Sequence, residues 1–397
     1  MLDSRVARPT VRTVPVLDVG HLLRRLDWLM LGAVGALLAY GLWLLNGITR
    51  NDVPGDPTYY IRHQVVYAVV GVVGLVLAVF VNPDVYRRRR GVIYITLIGS
   101  LLLVLAGGVS ARGSQRWISL GSFRFQPSEF GKLLLVLCLA AFLADRGKRI
   151  AEARTTVAAI GIAAIPTALV FLQPDVGSAL VYVAVLGSVL FVAGTRWLHL
   201  GILLVAAAVI GTVVLWAAPA AGVDILKPYQ VQRLTSFTNP SQDPSGATYN
   251  VTQSQIAVGS GRTTGRGESG STQTNFDYLP EHATDFVFAS LAEQRGFVGA
   301  SILLLLYLLV VWRALNTIAV ARDLFSAIVA GGIAIGLLFQ IVVNVGMTIG
   351  MAPVTGIPLP FVSAGGSSLI MNLIAIGILQ AIHARGRGPL RNPARLW

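Results

Sequence analysis

Asp285 stands where a polar stretch of the chain turns back into apolar sequence, within Tyr278-Leu-Pro-Glu-His-Ala-Thr-Asp285-Phe-Val-Phe-Ala289. No Lys or Arg lies within nine residues of it on either side. A carboxylate at a membrane mouth costs desolvation energy, and chains keep one there for ion handling, proton transfer or substrate chemistry more often than for packing. The chemical roles open to Asp285 are general base and metal ligand. Capping of the next helix does not require it, because Thr284 beside it serves equally well. His282 is a second titratable group close by, a weak signal on its own.

Other residues have types and spacings that suit charge handling. Pro127 fits the first turn of a helix. Glu129 then lies in the positive end of the helix dipole, and Lys132 follows one turn deeper on the same face. The plain reading of this pair is an internal ion pair that orients the helix. A site is compatible with it, since intramembrane ionisable residues face a cavity or a partner rather than lipid. Arg116-Trp117 reads equally as an interfacial anchor or as a guanidinium that grips a phosphate in bidentate fashion. Asp175 follows Pro174 at a helix start, where capping explains it. Gln340, Asn344 and Asn372 read as hydrogen-bond glue between helices, and Ser363-Ala-Gly-Gly-Ser-Ser368 as a close-packing stretch. Pro353, Pro358 and Pro360 make a rigid, non-helical turn. Gly259-Ser-Gly-Arg-Thr-Thr-Gly265 matches neither dinucleotide nor P-loop spacing and reads as a flexible loop.

The elements that must position these residues are membrane helices. Of 397 residues 54% are hydrophobic and only 12% charged, with a mean hydropathy of +0.70. A soluble domain carries about 25% charged residues, so the composition gives an integral membrane protein. The net charge of +13 does not point to nucleic acid, because the arginines sit in short loops between apolar runs, as orientation signals do. Cys138 is the only cysteine, which excludes a disulfide framework or a cysteine-based metal site. Runs of spanning length occur at about 27–47, 62–81, 91–109, 127–144, 155–172, 175–194, 198–218, 296–312, 323–346 and 360–383. The expected organisation is a tail (1–26), seven helices (27–218), one large loop (219–295), three more helices (296–383) and a second tail (384–397). The loop holds seven of the 18 acidic residues. Twenty of the 31 Lys and Arg fall on the side of the two termini, which puts both termini in the cytoplasm and the large loop outside. Every unusual polar element then faces outward, which argues against nucleotide chemistry.

The motifs occur in a characteristic order: Gln115-Arg-Trp117, Phe125-Gln-Pro-Ser-Glu129 with Lys132, Gln173-Pro-Asp175, Asp243-Pro-Ser-Gly246 leading to Gln253-Ser-Gln255, Leu279-Pro-Glu281 with Thr284-Asp-Phe286, and Thr355-Gly-Ile-Pro-Leu-Pro-Phe-Val-Ser363. In this the chain resembles the SEDS family of cell-wall glycosyltransferases, the RodA and FtsW type, over nearly its whole length. Ser271-Thr-Gln-Thr-Asn-Phe-Asp-Tyr-Leu-Pro280 and Asp243-Pro-Ser-Gly-Ala-Thr-Tyr-Asn250 resemble RodA more than FtsW. The resemblance implies an all-α protein of about ten spans in the bacterial cytoplasmic membrane. It implies polymerisation of peptidoglycan glycan strands from lipid II during cell elongation, a class B penicillin-binding protein as partner, and an essential aspartate at Asp285. The family usually has His directly before Thr-Asp, where this chain has Ala283 with His282 one place earlier, and a second acid where this chain has Gln294 after Glu293.

The chemistry so implied joins a sugar hydroxyl to an anomeric carbon that bears a lipid diphosphate, with inversion. Asp285 is then the candidate base. Arg116, Lys132 and Arg233 are candidates to offset the charge of the diphosphate, with Glu129 and Gln253 as further substrate-binding residues. A divalent cation, Mg²⁺ or Mn²⁺, is expected to share that work, with Asp285 and Glu129 as its candidate ligands. The alternatives are a lipid II flippase or transporter, for which broken helices and intramembrane charge are also suited, and a division polymerase of the FtsW type.

Overall fold

A computed structural model describes residues 19–111, 114–120, 123–222, 226–235 and 247–386. Ten apolar helices cross the bundle: Trp28–Ile48, Tyr59–Phe80, Arg90–Gly107, Pro127–Arg146, Ala153–Leu172, Val176–Val192, Trp197–Thr212 with a π turn to Ala217, Val287–Val320, Leu324–Thr348 and Gly366–Gly386. Nine of them are at least 18 residues long, enough to cross a bilayer, and the sixth is shorter, at 17. The protein is an all-α, multi-pass membrane protein. Side chains set several helix starts: Asp27, Asn82, Asp175 and Asp323 each accept a hydrogen bond from a backbone N–H in the first turn.

The tenth helix is the axis of the bundle, with 94% of its apolar window buried, whereas none of the seventh is. The exposed apolar residues of the seventh helix, among them Leu204, Val205 and Ile210, face lipid or another protein. At the end nearer the described chain termini the bundle is tied by a buried polar knot. Arg313 Nε donates to Asp27 Oδ2 at 2.8 Å, and Gln380 exchanges hydrogen bonds with the backbone N–H and C=O of Asp27.

Three features differ from the sequence reading. A small antiparallel meander follows the third helix: β1 (Val109–Ala111), β2 (Ser114–Leu120) and β3 (Phe123–Phe125), in the order β1-β2-β3. It is too short for a hydropathy pattern to reveal, yet it carries Arg116. The helix of the eighth span starts at Val287, ahead of the apolar run expected from position 296, because Ser290, Glu293 and Gln294 are buried inside protein rather than lipid. It is broken at Gly296 (φ 64°, ψ −162°). The glycine-rich 259–265 stretch, expected as a flexible loop, is packed into that break. The backbone N–H groups of Phe297 and Val298, left without intrahelical partners, donate to the carbonyls of Arg262 and Thr263 at 2.8 and 3.0 Å. A Cβ at Gly261 would stand 1.8 Å from the Ala292 carbonyl oxygen, and one at Gly265 2.2 Å from that of Gln294. Only glycine allows this approach. The Asp243 motif and residues 387–397 lie outside the described residues.

Candidate active site

The turn at Pro353–Gly356 gathers the site. Gly356 has φ +71°, and the space a side chain would fill there lies 3.4 Å from Asp285 Oδ2 and 3.7 Å from Arg233 Nη1. A carboxylate and a guanidinium therefore flank one glycine. Arg233 ends the short helix Pro228–Thr235, and its carbonyl accepts from the N–H of Val354 at 3.1 Å, which ties that helix to the turn. Arg116 reaches the same place from β2. Arg116, Gln230, Arg233 and Thr355 line one small cavity beside the N-terminus of the sixth helix. That helix fits against the turn because residue 177 is glycine; a Cβ there would meet the Thr355 oxygen at 2.2 Å.

Asp285 is placed by its backbone. The residue before the helix at Val287 is Phe286, with no capping side-chain bond, so Asp285 is not spent on a helix cap. Asn344 donates from one Nδ2 to the carbonyls of Asp285 (2.9 Å) and Ile357 (2.8 Å). Ser363 Oγ donates to the Thr284 carbonyl at 2.5 Å and accepts from Leu359 N–H at 2.9 Å. Gln64, on the second helix, donates to the Ser363 carbonyl and accepts from Gly365 N–H. Three elements, the ninth helix, the 357–365 segment and the second helix, thus hold the backbone of Thr284 and Asp285. Asn344, read from sequence as hydrogen-bond glue, and Ser363, read as part of a close-packing stretch, act as positioning residues, together with Gln64, which the sequence reading did not single out. Their signal was only a polar residue at the end of an apolar run, which is the signal of any helix–helix contact.

Charges behind this centre are paired. Asp175 caps the sixth helix through Ser178 N–H (3.1 Å), accepts from Ser128 Oγ and Gln126 Nε2 (3.2 Å each), and stands 3.7 Å from Arg116 Nη1. It is both a cap and the anion that orients Arg116. Lys132 Nζ lies 2.5 Å from Glu129 Oε1, each residue only 3% exposed, with Gln340 Oε1 at 3.4 Å. Lys132 lines a separate cavity within the bundle, with Gln340 and Asn372, rather than the one shared by Arg116 and Arg233. Gln253, half-buried on the helix Ala247–Ser260, does not line that shared cavity either; its neighbours Ser254 and Gln255 bond the carbonyls of Thr348 and Ile349. Glu293 is fully buried and accepts from Gln273 N–H, Thr274 N–H and Thr274 Oγ at 2.7–3.0 Å.

Asp285 and Glu129 belong to no set of three metal-ligating side chains among the described residues. The one such set is Asp52, Asp277 and His282. Burial by itself would lower the His282 pKa. The Asp52 carboxylate, 3.2 Å from Nε2, with the charge of Asp277 behind it, outweighs burial and holds it above the usual histidine value.

The chain is similar to known proteins over nearly its whole length. Residues 23–388 match the family model of FtsW, RodA and SpoVE, described as cell cycle proteins. The stage V sporulation protein E of Bacillus subtilis is 36% identical over 88% of this chain and 93% of its own length. The peptidoglycan glycosyltransferase MrdB of Escherichia coli K12 is 37% identical over 90% and 93%. Among solved structures, a chain of a peptidoglycan synthase complex that coordinates polymerisation and crosslinking matches with a TM-score of 0.78 at 31% identity, over 92% of this chain and 99% of that one. The rod shape determining protein RodA of Thermus thermophilus matches with a TM-score of 0.68 at 28% identity, over 92% and 98%. The chain belongs to the FtsW, RodA and SpoVE family of membrane proteins, the SEDS family.

Proposed function

We propose that this protein is a peptidoglycan glycosyltransferase that polymerises glycan strands from lipid II at the outer face of the bacterial cytoplasmic membrane, in cell elongation. The observation that carries the proposal is the meeting of Asp285, Arg233 and Arg116 around the Thr355–Gly356 turn. Transfer of a glycosyl group from a lipid diphosphate needs a base at the attacking hydroxyl and fixed positive charge at the departing diphosphate. Asp285 takes the proton of the acceptor hydroxyl as the oxygen attacks the anomeric carbon. Arg233 and Arg116, with their five-donor planar forks, receive the growing charge of the diphosphate. Glu129 holds Lys132 inside the bundle, where its charge adds to the field at longer range. A single displacement inverts the anomeric centre.

A divalent cation fits this site in one way. Mg²⁺ is commonly held by one or two carboxylates together with substrate phosphates, and Asp285 is such a carboxylate. Glu129 is already engaged with Lys132 and is the weaker candidate. When bound, the ion supplies further positive charge to the diphosphate. The excess of Lys and Arg in the loops on the termini side supports cytoplasmic chain ends and an outward-facing site. A class B penicillin-binding protein is the expected partner, in keeping with the synthase complex among the structural neighbours.

The test is polymerisation of labelled lipid II by purified protein with its partner's transpeptidase site blocked. Wild type should give β-linked polymer, and Asp285→Ala should fold yet lose about 10²–10⁴ in rate, the usual effect of removing a general base. An Asp285→Ala variant that polymerises at the wild-type rate overturns the assignment. Flipping of lipid II in liposomes without polymer from the wild type would favour the transport reading.

A further inference from the structure

His282 is 94% buried by its 6% exposure, and its Nε2 has no hydrogen-bond partner among the described residues. A buried ring nitrogen without a partner is costly and asks for a ligand. The nitrogen faces a carboxylate: Asp52 Oδ1, in the turn between the first and second helices, stands 3.2 Å away but off the hydrogen-bonding axis. The other ring nitrogen, Nδ1, lies 3.2 Å from the Leu279 carbonyl, an acceptor that fixes a proton on Nδ1, so that Nε2 is the nitrogen a metal ion would take in place of a proton. Asp277 stands beside the group, its Oδ1 4.0 Å from the bonded Nδ1 and its side chain exposed, so that it would swing toward Nε2 to ligate; one ligand atom from each of the three residues lies within 4.8 Å of the others.

We infer that Asp52, Asp277 and His282 form a binding site for a divalent first-row metal ion, of the Zn²⁺ or Mn²⁺ class, separate from the cation expected at the diphosphate. The spacing agrees with this. Two ligands on one ion at bonds of about 2.1 Å lie roughly 3.0–3.4 Å apart, and the His282–Asp52 separation falls in that range. The donor set agrees as well. One imidazole with two carboxylates favours a borderline ion over Mg²⁺ or Ca²⁺, which prefer oxygen alone. The Leu279 carbonyl supplies the outer-shell acceptor that ligating histidines characteristically have. Two anions around the imidazole favour positive charge there, and the ion would provide it without disturbing the fold.

The position gives the site a purpose. His282 is followed by Ala283 and Thr284, whose carbonyls accept from Ala364 N–H and Ser363 Oγ, and then by Asp285. Asp52 belongs to a different part of the chain, the turn after the first helix. An ion held by both ties that turn to the segment bearing the carboxylate. It acts on the position of Asp285 and does not touch the substrate. The site rests on its own geometry and does not depend on the reaction proposed above.

Full-length protein in detergent, stripped with chelator, is titrated with Mn²⁺ and followed by electron paramagnetic resonance. One Mn²⁺ per chain should bind with nitrogen modulation in the spin-echo spectrum, and Zn²⁺ should displace it. His282→Gln should abolish the nitrogen modulation, and Asp52→Asn, an isosteric change, should weaken binding at least about 10-fold. Asp285→Ala should leave this binding unchanged, which separates it from any ion at the diphosphate. Thermal melts without metal check that each variant folds. Wild-type protein without saturable Mn²⁺ binding, or a His282→Gln variant that keeps the nitrogen modulation, overturns the proposal.

Discussion

Asn344 offers the sharpest test of how the site is held. Its single amide donates to the carbonyls of Asp285 and Ile357 at 2.9 and 2.8 Å, and so joins the proposed base to the turn that presents Gly356. Asn344 itself is fully buried, so no water replaces these bonds. Each neutral hydrogen bond contributes a net of about 0.5–1.5 kcal/mol, so the two together hold the base with about 1–3 kcal/mol. A displacement of about 1 Å is enough to reduce a reaction about 10²-fold, and at 1.36 kcal/mol per tenfold the loss of about 1–3 kcal/mol corresponds to about 5–150-fold. Asn344→Leu, which keeps volume but removes the donors, should therefore lower kcat for lipid II polymerisation by about 5–150-fold with KM little changed. Asn344→Asp keeps the shape and puts an acceptor against two carbonyls, so it should be at least as slow. If Asn344→Asp polymerises at the wild-type rate while remaining folded, the amide does not position the base and the reasoning fails.

Three further outcomes follow from the same geometry. Lys132→Met leaves Glu129 as an unpaired buried charge and should destabilise the protein by about 3–5 kcal/mol, whereas Lys132→Met combined with Glu129→Gln should recover much of the loss in a thermal melt. Glu293→Gln exchanges an anion that accepts three hydrogen bonds for an amide that cannot repeat them; a loss of about 2–4 kcal/mol and faster proteolysis near Thr274 should be measured, and unchanged proteolysis would argue that the loop is held elsewhere. Gly356→Ala places a methyl group between Asp285 and Arg233 at a φ of +71°, and should reduce polymerisation at least about tenfold, since the strain alone is about 1–2 kcal/mol.

The helices were legible in the chain because lipid enforces a simple rule: about 20 apolar residues per crossing. The same rule misreads a helix that is buried in protein. The stretch from Val287 to Arg295 carries Ser290, Glu293 and Gln294, so hydropathy ends the span at Gly296, although the helix runs on beyond the break with the Glu293 carboxylate bonded by residues 273–274. Asp285 could be picked out because no basic residue surrounds it in sequence and nothing in packing explains it. Arg233 could not be placed from sequence alone, since its approach to Asp285 depends on a short helix docking on a turn more than a hundred residues away. Asp175 was read as a cap, and it is one, but its pairing with Arg116 requires a strand that only the fold supplies. The metal-type cluster was hidden for the same reason: Asp52 and His282 belong to segments far apart in the chain.

The break at Gly296 has a consequence for how the protein is made. The amides of Phe297 and Val298 donate to the 262–263 carbonyls, and the Glu293 carboxylate accepts from residues 273–274. The apolar half of this helix can enter the bilayer as soon as it is synthesised. The half that precedes Gly296 cannot settle until the preceding loop has folded back and docked. Asp285 sits just before that half. Assembly of the reaction centre therefore comes late, after the scaffold of spans is in place. A chain whose loop fails to dock would be inserted, stable in lipid and chemically silent, and would expose a polar helix end where proteases of the membrane surface can find it.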